Sequence, residues 1–523
     1  MSGTNEFDTV VIGAGSNGLV AAIALAKFGR KVVVLERASE IGGLHATNEI
    51  APGFRAPLGA DTGWLPPSVA RSIGLTPPAT VSPEVSVTAP LADGGFLSLP
   101  SDPRRAVEAI RAHSARDADR WIDFTHSLRA LGGFLEALYQ VPAPDIDASF
   151  SPREMLPLVG VGRKFRSLGK HDMTELLRTV PMPAKDFLDD MLDHETLKAA
   201  IGAGAVRDIR QGPRSGGTAF VLLHYLTGAS DGAVRARPWW QTGPDALTSV
   251  LGDLARQHGV AIRTNAEVGR IVVRDDAVAG AALANGDEIA APVIISTADP
   301  ARTLGLVEPI WLDPDFMLAA HHIKFRGSTA VVQYALDNLP DAPGLSPQAL
   351  ASVVSLTATL EKLERAYDAA KYGQISDELH IEFTVPTLRW PALAPAGKHV
   401  LVANVRYTPC NLRGATWDDA SARALGERVT AALERVIPRF KNSIRHRVVL
   451  TPHELETRFA LTEGALTHGE ITLDQILFMR PLAGWGRYAM PISGLYLGGS
   501  GAHPGPGVLG GAGWLAARRV LQD

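Results

Sequence analysis

The stretch TVVIGAGSNGLVAAIALAKFGRKVVVLE, residues 9–36, decides the fold. TVVI and KVVVLE are short apolar runs rich in β-branched residues, the pattern of strands covered on both faces. Between them SNGLVAAIALAKFG has the length and alanine content of a helix that ends at Gly29. Strand, helix and strand make one βαβ unit. Gly13, Gly15 and Gly18 in its first turn fit G-x-G-x-x-G. Gly13 permits the tight turn, Gly15 lets a pyrophosphate approach the backbone, and Gly18 lets the helix lie close on the strand. Ser16 and Asn17 complete the loop, where free N–H groups and the helix dipole favour phosphate. Glu36 ends the second strand 18 positions beyond Gly18, where a carboxylate accepts from ribose hydroxyls and repels a 2′-phosphate.

NAD and FAD both bind such a unit. Six residues after Glu36, the string ERASEIGGLHAT brings a second glycine pair, Gly42 and Gly43, which returns backbone to the phosphates and which an ordinary NAD domain does not need. A third glycine cluster, GGSGAHPGPGVLGGAG at 498–513, holds eight glycines in sixteen positions. SGLYLGG before it reads as a turn feeding a buried strand and GWLAARRVL after it reads as a helix, so this is a ligand-approaching turn and not a frayed tail.

The rest of the 523-residue chain bounds the function. Apolar residues make up 46% and charged ones 20%, with a net charge of −4, which offers no electrostatic footprint for nucleic acid. Cys410 is the single cysteine, so the chain has no internal disulfide, dithiol pair or cysteine-rich metal site, and a reducing compartment fits. MSGTNEFD has neither the character of a secretory signal nor that of a transit peptide, and no uninterrupted apolar run is long enough to span a bilayer. A cytoplasmic protein is expected.

The order of patterns along the chain gives an α/β fold: a Rossmann-type FAD-binding domain assembled from discontinuous segments, with an inserted mixed-sheet and helical substrate domain. Helical patterns fill 101–140 and roughly 152–202, strand-like runs return at 260–297, 328–336 and 379–407, and SARALGERVTAALERVI reads as an amphipathic helix. The boundaries expected are 1–70, 235–300 and 470–523 for the FAD domain, and 71–234 and 301–469 for the substrate domain with its helical insert.

With the glycine loop, the acid and the following glycine pair in place, the chain resembles the flavoprotein superfamily of amine oxidases and phytoene desaturases. The tail HGEITLDQILFMRPLAGWGRYAMPISGLYLGGSGAHPGPGVLGGAG resembles its phytoene desaturase-like branch, which includes desaturase-like carotenoid ketolases and the pyridine nucleotide-disulfide oxidoreductase domain-containing protein 2 group. The likeness extends through TNAEVGRIVV and IISTADP and is thin in the helical insert. It implies FAD as cofactor, with Glu36 at the adenosine ribose, Val268 at adenine, and Arg37 to Leu44 along the pyrophosphate. Gly499, Ser500, Gly507 and Val508 would lie at the ribityl chain and ring, where backbone N–H groups and a helix dipole stabilise the charge that reduction places on the flavin. The chain departs from the pattern at three places: Leu44 stands where many members carry arginine, Gly499-Ser500 where relatives often have an acid, and Gln241 to Asp245, QTGPD, where relatives have a glycine-rich turn.

The resemblance implies an FAD-dependent oxidoreductase that dehydrogenates or desaturates a lipophilic substrate (carotenoid, polyene or acyl-like) by hydride transfer to flavin N5. Alternatives are a desaturase-like carotenoid ketolase, an amine oxidase and, from another class, a non-catalytic flavin-binding scaffold. With no dithiol and no second strand-bound G-x-G-x-x-G, electrons must leave to a diffusible acceptor, oxygen or a quinone. His503, inside the glycine turn, is the candidate catalytic side chain, as proton donor, acceptor or charge stabiliser, against the alternative of holding the turn. His45 suggests a structural role. His321 and His322 point apart and lack a third ligand, so no metal site is expected. Trp239, Trp240 and Trp485 are expected to border the flavin domain, by packing or as a wall for an apolar substrate. LVGVGRKFRSLGK, 158–170, mixes apolar residues with four cations and suggests either a solvated helix face or peripheral contact with an anionic membrane.

Overall fold

Runs such as VVVL, too apolar to expose either face, form the middle of a parallel sheet. The computed structural model of the chain describes residues 6–59, 61–144, 152–230 and 233–523, with no side-chain description for 152–157. Five strands lie side by side in the order Leu495–Leu497, Val293–Ser296, Thr9–Ile12, Val32–Leu35 and Ala261–Arg263, all parallel. Thr9 stands opposite both Val32 and Val293, so the first strand occupies the centre and its end points the glycine loop out of the sheet. The following helix, Ser16–Ala26, stops before Gly29, which closes the turn at φ +79°. Its residues from Gly18 to Leu25 are all buried, because two more helices, Ala246–Gln257 and Gly511–Val520, cover it. Contact with the last helix is backbone to backbone: a Cβ on Gly513 would lie 1.9 Å from the Asn17 carbonyl oxygen. Only glycine permits that approach, and it ties the two ends of the chain together.

A second sheet of seven strands runs in the order Ile444–Leu450, Thr329–Leu336, His399–Arg406, His380–Thr384, Val354–Ser355, Val85–Pro90 and Phe96–Pro100. It is mixed: Val354 pairs in parallel with Thr88, and the other ladders are antiparallel. One face packs on the helix Asp419–Glu434, and the other takes the hairpin Asn48–Ala51 and Phe54–Ala56 from the N-terminal segment. The five parallel strands thus fall within 1–70, 235–300 and 470–523, and the seven-stranded sheet within 71–234 and 301–469. The hairpin belongs by sequence to the first group and by packing to the second.

The helical region is several helices around its own core. Asp102 caps Pro103–Arg111 and Ser114 caps Ala115–Leu138, so the continuous pattern expected over 101–140 is broken at 112–114. These helices bury Trp121, Phe124, Tyr139 and Phe220 with Thr218–Leu226. In 158–170, Arg163, Lys164, Arg166 and Lys170 are exposed while Phe165 lies against Phe134, ring centroids 5.6 Å apart. Among the described residues no helix is long and apolar enough to cross a membrane.

Candidate functional site

A cleft of about 1060 Å³ follows the ends of the parallel strands. It is lined by Glu36 and Val268, by Gly15, Ser16, Asn17, Gly42 and Gly43, and by Ser500, Gly507 and Val508. Residues almost 500 positions apart therefore line one continuous groove. The three glycines of the first loop do different work. A Cβ on Gly13, at φ +96°, would meet Thr297 Oγ1 at 2.4 Å, and one on Gly18 would meet the Gly13 carbonyl oxygen at 2.0 Å. Gly15 has no such neighbour: its Cβ would meet only Gly43 Cα, at 3.9 Å. Gly13 and Gly18 thus build the turn, and Gly15 leaves its surface to a ligand.

Glu36 is fixed from two sides: Oε2 accepts from Ala14 N at 2.7 Å and Oε1 from Ala38 N at 2.8 Å. A carboxylate has about four acceptor positions, so capacity for two ribose hydroxyls is left. Arg37 lines the cleft, and its guanidinium donates to the carbonyls of Thr457 and Arg458 on the opposite wall. Leu44, in the place of the family's arginine, lines the cleft and packs toward the hairpin core. Asn17 joins the two glycine loops, with Nδ2 at 3.5 Å from Ser500 Oγ and Oδ1 accepting from Gly513 N at 3.5 Å.

The C-terminal glycines divide in the same way. Ser500, Gly507 and Val508 line the cleft, whereas a Cβ on Gly499 would fall 2.3 Å from the Thr297 carbonyl oxygen, so Gly499 is glycine for the sake of the protein and not of the ligand. The turn is held by Arg480, a buried guanidinium that donates to the carbonyls of Thr467, Gly469, Glu470, Gln475 and Ser500. That cage of backbone carbonyls gives the arginine of the tail's RP pair its physical meaning. Burial lowers the Arg480 pKa to about 10. A second clamp comes from the helical region, where His224 Nε2 donates to the Pro506 carbonyl at 2.8 Å while Nδ1 accepts from Tyr139 hydroxyl at 2.7 Å. Burial drives the His224 pKa down to about 3, so its ring is neutral and can do both.

His503 is not where a role at the ring requires it. It is 1% exposed, lines neither cavity, and its Nε2 stands 3.2 Å from the Val141 carbonyl with the Tyr139 ring edge-on. Burial lowers its pKa to about 4. The structure places it as a turn-holding side chain. Of the tryptophans, Trp239 lines a second cavity, Trp240 is buried in the core around the parallel sheet, and Trp485 packs edge-on against Phe316. From Gln241 to Asp245 only Pro244 lines a cavity, again the second.

That second cavity, about 180 Å³, opens off the Gly507 end of the cleft and shares Leu44, His45, Leu466, Pro506 and Gly507 with it. Its wall holds a chain of alternating charges that sequence reading did not find. Arg237 and Arg207 both donate to Asp61 Oδ2, at 3.3 and 2.6 Å; Arg207 Nε reaches Asp208 at 3.4 Å; Arg406 binds Asp208 and stands 3.6 Å from Glu382, which pairs with Arg235 at 2.7 Å. Burial alone would raise the pKa of Asp61, but Arg237 and Arg207 outweigh it and hold the carboxyl well below its usual range. Glu382 is likewise opposed by burial and brought to about 2 by Arg235 and its neighbours. Arg389, a fifth arginine of this wall, lies over the Trp239 ring at 4.4 Å. His45 borders both cavities, and burial lowers its pKa against the pull of Asp61, so it is neutral near pH 7.

Residues 185–521 match the model of the flavin containing amine oxidoreductase family, and residues 11–71 that of an NAD(P)-binding Rossmann-like domain. This chain belongs to the flavin containing amine oxidoreductase family. It is 33% identical to pyridine nucleotide-disulfide oxidoreductase domain-containing protein 2 of Rattus norvegicus, over 99% of this chain and 94% of that one. It is 25% identical to the neurosporene-forming phytoene desaturase of Rhodobacter capsulatus, over 98% and 93%. An oxidoreductase from Methanosarcina mazei shares the fold at TM-score 0.59 and 15% identity, over 98% of this chain and 100% of that one. The flavoprotein is an FAD-dependent oxidoreductase, and its residues fit the cofactor. The surface of Gly15 is free for a pyrophosphate, Glu36 keeps acceptor capacity for ribose, and the cleft has continuous room from Val268 to Val508.

Proposed function

We propose that this flavoenzyme dehydrogenates a substrate with a lipophilic, acyl-like body at a C–H bond presented from the second cavity to the Gly507 end of the cleft. The observation that carries this reading is the continuity of the two spaces at Leu44, His45, Pro506 and Gly507. Bound FAD supplies hydride acceptance. The chain's part is to place the C–H bond, to keep water from it with Leu44, Leu466 and Pro506, and to take the proton. His45 offers a neutral ring nitrogen at the junction, and Asp61 favours its protonated form. Two hydrogens leave the substrate, one as hydride and one as a proton, and leave a new double bond.

The names of the relatives point the same way: one is a phytoene desaturase and another, from Castellaniella defragrans, is the B subunit of a limonene dehydrogenase. A chamber of 180 Å³ suits the reacting end of a lipid better than the whole length of a carotenoid. Oxidation of an amine fits less well, because the arginines of the wall outnumber its carboxylates and repel an ammonium group. Electrons pass to a diffusible acceptor, oxygen or a quinone. For a quinone met at a bilayer, the exposed Arg163, Lys164, Arg166 and Lys170 supply a cationic face for peripheral contact.

Anaerobic mixing of the FAD-loaded protein with polyenes, acyl compounds and amines tests the reading. Bleaching of the flavin bands by an acyl compound or polyene supports it; bleaching by amines alone makes the protein an amine oxidase; none with any class leaves a flavin-binding scaffold.

A further inference from the structure

The arginines and carboxylates of the second cavity's wall are engaged with one another or with backbone. Of its neutral polar side chains, Thr62, Ser352, Thr384 and Asn404 donate to the carbonyls of Pro238, Val85, Leu350 and Leu58. That leaves His45, Tyr225 and Trp239, which make no hydrogen bond to protein among the described residues. Trp239 carries the Arg389 guanidinium on its face, and His45 stands at the junction of the two spaces. Tyr225 stands at the Gly507 end. The helix Thr218–Leu226 is pinned there by His224, which holds the Pro506 carbonyl, and a Cβ on Gly507 would lie 3.7 Å from Tyr225 Cε1. Tyr225 is half-buried, and its hydroxyl, unlike the Nε atoms of Arg237 and Arg406, is not sealed off. A phenol so placed has a proton to give and no protein acceptor for it.

We propose that Tyr225 is a catalytic residue whose hydroxyl donates to a carbonyl oxygen of the substrate, so that the bonds oxidised are the C–H bonds α and β to that carbonyl. Burial first, and Asp208 after it, hold the Tyr225 pKa far above its ordinary value, so the hydroxyl keeps its proton and acts as a donor. Arg207, with its guanidinium 4.6 Å from the ring centre, and Arg406 act the other way and favour negative charge at the hydroxyl's partner. The α-carbon gives its proton to His45, and the β-carbon gives a hydride, with two electrons, to bound FAD. The electron pair left at the α-carbon becomes the new C=C bond. The carbonyl oxygen carries negative charge only while the hydrogens leave, and Tyr225 stabilises it then. The substrate is thus a ketone, ester, thioester or amide with an apolar tail rather than a bare hydrocarbon. This rests on the dehydrogenase reading for the step, but the contact with the carbonyl can be measured without turnover.

The experiment is isotope-edited infrared spectroscopy of methyl octyl ketone, labelled at its carbonyl carbon, on the oxidised, FAD-loaded protein, with isothermal titration of the ketone and of decene beside it. The expected result is a carbonyl stretch at lower frequency than the ketone shows in hexane, and binding of the ketone about tenfold tighter than that of decene. Tyr225→Phe is expected to lose the frequency shift and the tenfold preference while binding decene as before. Fluorotyrosine in place of Tyr225, nearly the same in shape and a stronger donor, should deepen the shift. No shift in the unaltered protein, no binding of the ketone, a folded Tyr225→Phe protein that keeps the shift, or a fluorotyrosine protein with the shift unchanged overturns the proposal. Where Tyr225→Phe does not fold, the fluorotyrosine protein decides. Failure of every substrate class to bleach the flavin contradicts the enzyme reading instead, and leaves the carbonyl contact to be judged by its spectrum.

Discussion

Gly15 and Gly43 meet across the middle of the cleft: a Cβ on Gly43 would stand 3.3 Å from Gly15 Cα, and one on Gly15 would stand 3.9 Å from Gly43 Cα. Two loops nearly thirty positions apart therefore present bare backbone to the same place. Gly15 has φ −75° and ψ 178°, which alanine adopts freely. Gly15→Ala should fold with the apo-protein's melting temperature unchanged within about 2 °C and yet bind FAD at least about tenfold more weakly, because its methyl group occupies the phosphate's approach. Gly18→Ala should do the reverse. Its methyl would sit 2.0 Å from the Gly13 carbonyl oxygen, and overpacking of that kind costs about 1–3 kcal/mol or more, read as a lowered melting temperature of the apo-protein.

At the other end, Gly507 has φ +74°, and a Cβ there would come 3.1 Å from Arg237 Nη1. Gly507→Val should therefore strain the turn and displace Arg237 while the adenosine half stays anchored at Glu36. The expected outcome is a shifted flavin spectrum or slowed reduction at nearly full FAD occupancy. A native spectrum and native reduction in a folded Gly507→Val protein would remove Gly507 from the reactive end.

Glu470 gives a pH signature. Its side chain is fully buried, Oε1 accepts from Arg210 N at 2.9 Å, Oε2 stands 3.4 Å from Arg326 Nη1 with no hydrogen bond among the described residues, and burial outweighs these partners and raises its pKa to about 7. A folded-state pKa above the unfolded value means that the folded protein holds the proton more tightly. The contribution is complete below pH 4.5 and is lost as pH rises through about 7. Unfolding followed by denaturant at a series of pH values should show the unaltered protein losing about 3 kcal/mol more than Glu470→Gln across that window. Parallel curves for the two proteins would show that Glu470 is ionised in the folded state.

His45 should govern the pH dependence of reduction. Its pKa is lowered by burial, so the neutral ring predominates at and above its ordinary value of 6.5. The rate of anaerobic flavin reduction by substrate should rise with pH below 6.5 and then level off. His45→Asn should lose that rise and about 10²–10⁴-fold in rate while keeping FAD, the usual worth of a positioned base. A His45→Asn protein with the native pH profile would assign the proton to another group.

What could be read from the sequence was what is encoded in neighbouring residues. Gly13 to Gly18, Glu36 and Gly42-Gly43 carry their meaning in short spacings, and the central strands Thr9–Ile12, Val32–Leu35 and Val293–Ser296 follow short runs rich in valine, isoleucine and leucine. The strands Val85–Pro90, Phe96–Pro100 and Ile444–Leu450 escaped, because prolines end the first two and the last has three consecutive basic residues, Arg445, His446 and Arg447, that break the strand period. The charged wall escaped for a deeper reason. Asp61, Arg207, Asp208, Arg235, Arg237, Glu382, Arg389 and Arg406 come from four separated stretches with no mutual spacing, and only the packing of the two sheets makes them neighbours. His503 shows the opposite limit: its place in the glycine turn was legible, but the direction of its side chain, toward Val141 and Tyr139, was not.

The central claim is that both glycine loops clasp one FAD, phosphates at Gly15 and ring at Gly507. Crystallisation of the protein with FAD tests this most directly. The account predicts one FAD per chain, with electron density for the adenosine between Glu36 and Val268, the pyrophosphate against Gly15 and Gly43, and the isoalloxazine beside Gly507 and Val508 at the mouth of the arginine-lined cavity. Density with the ring at the Glu36 end, or FAD bound outside the cleft, would contradict it.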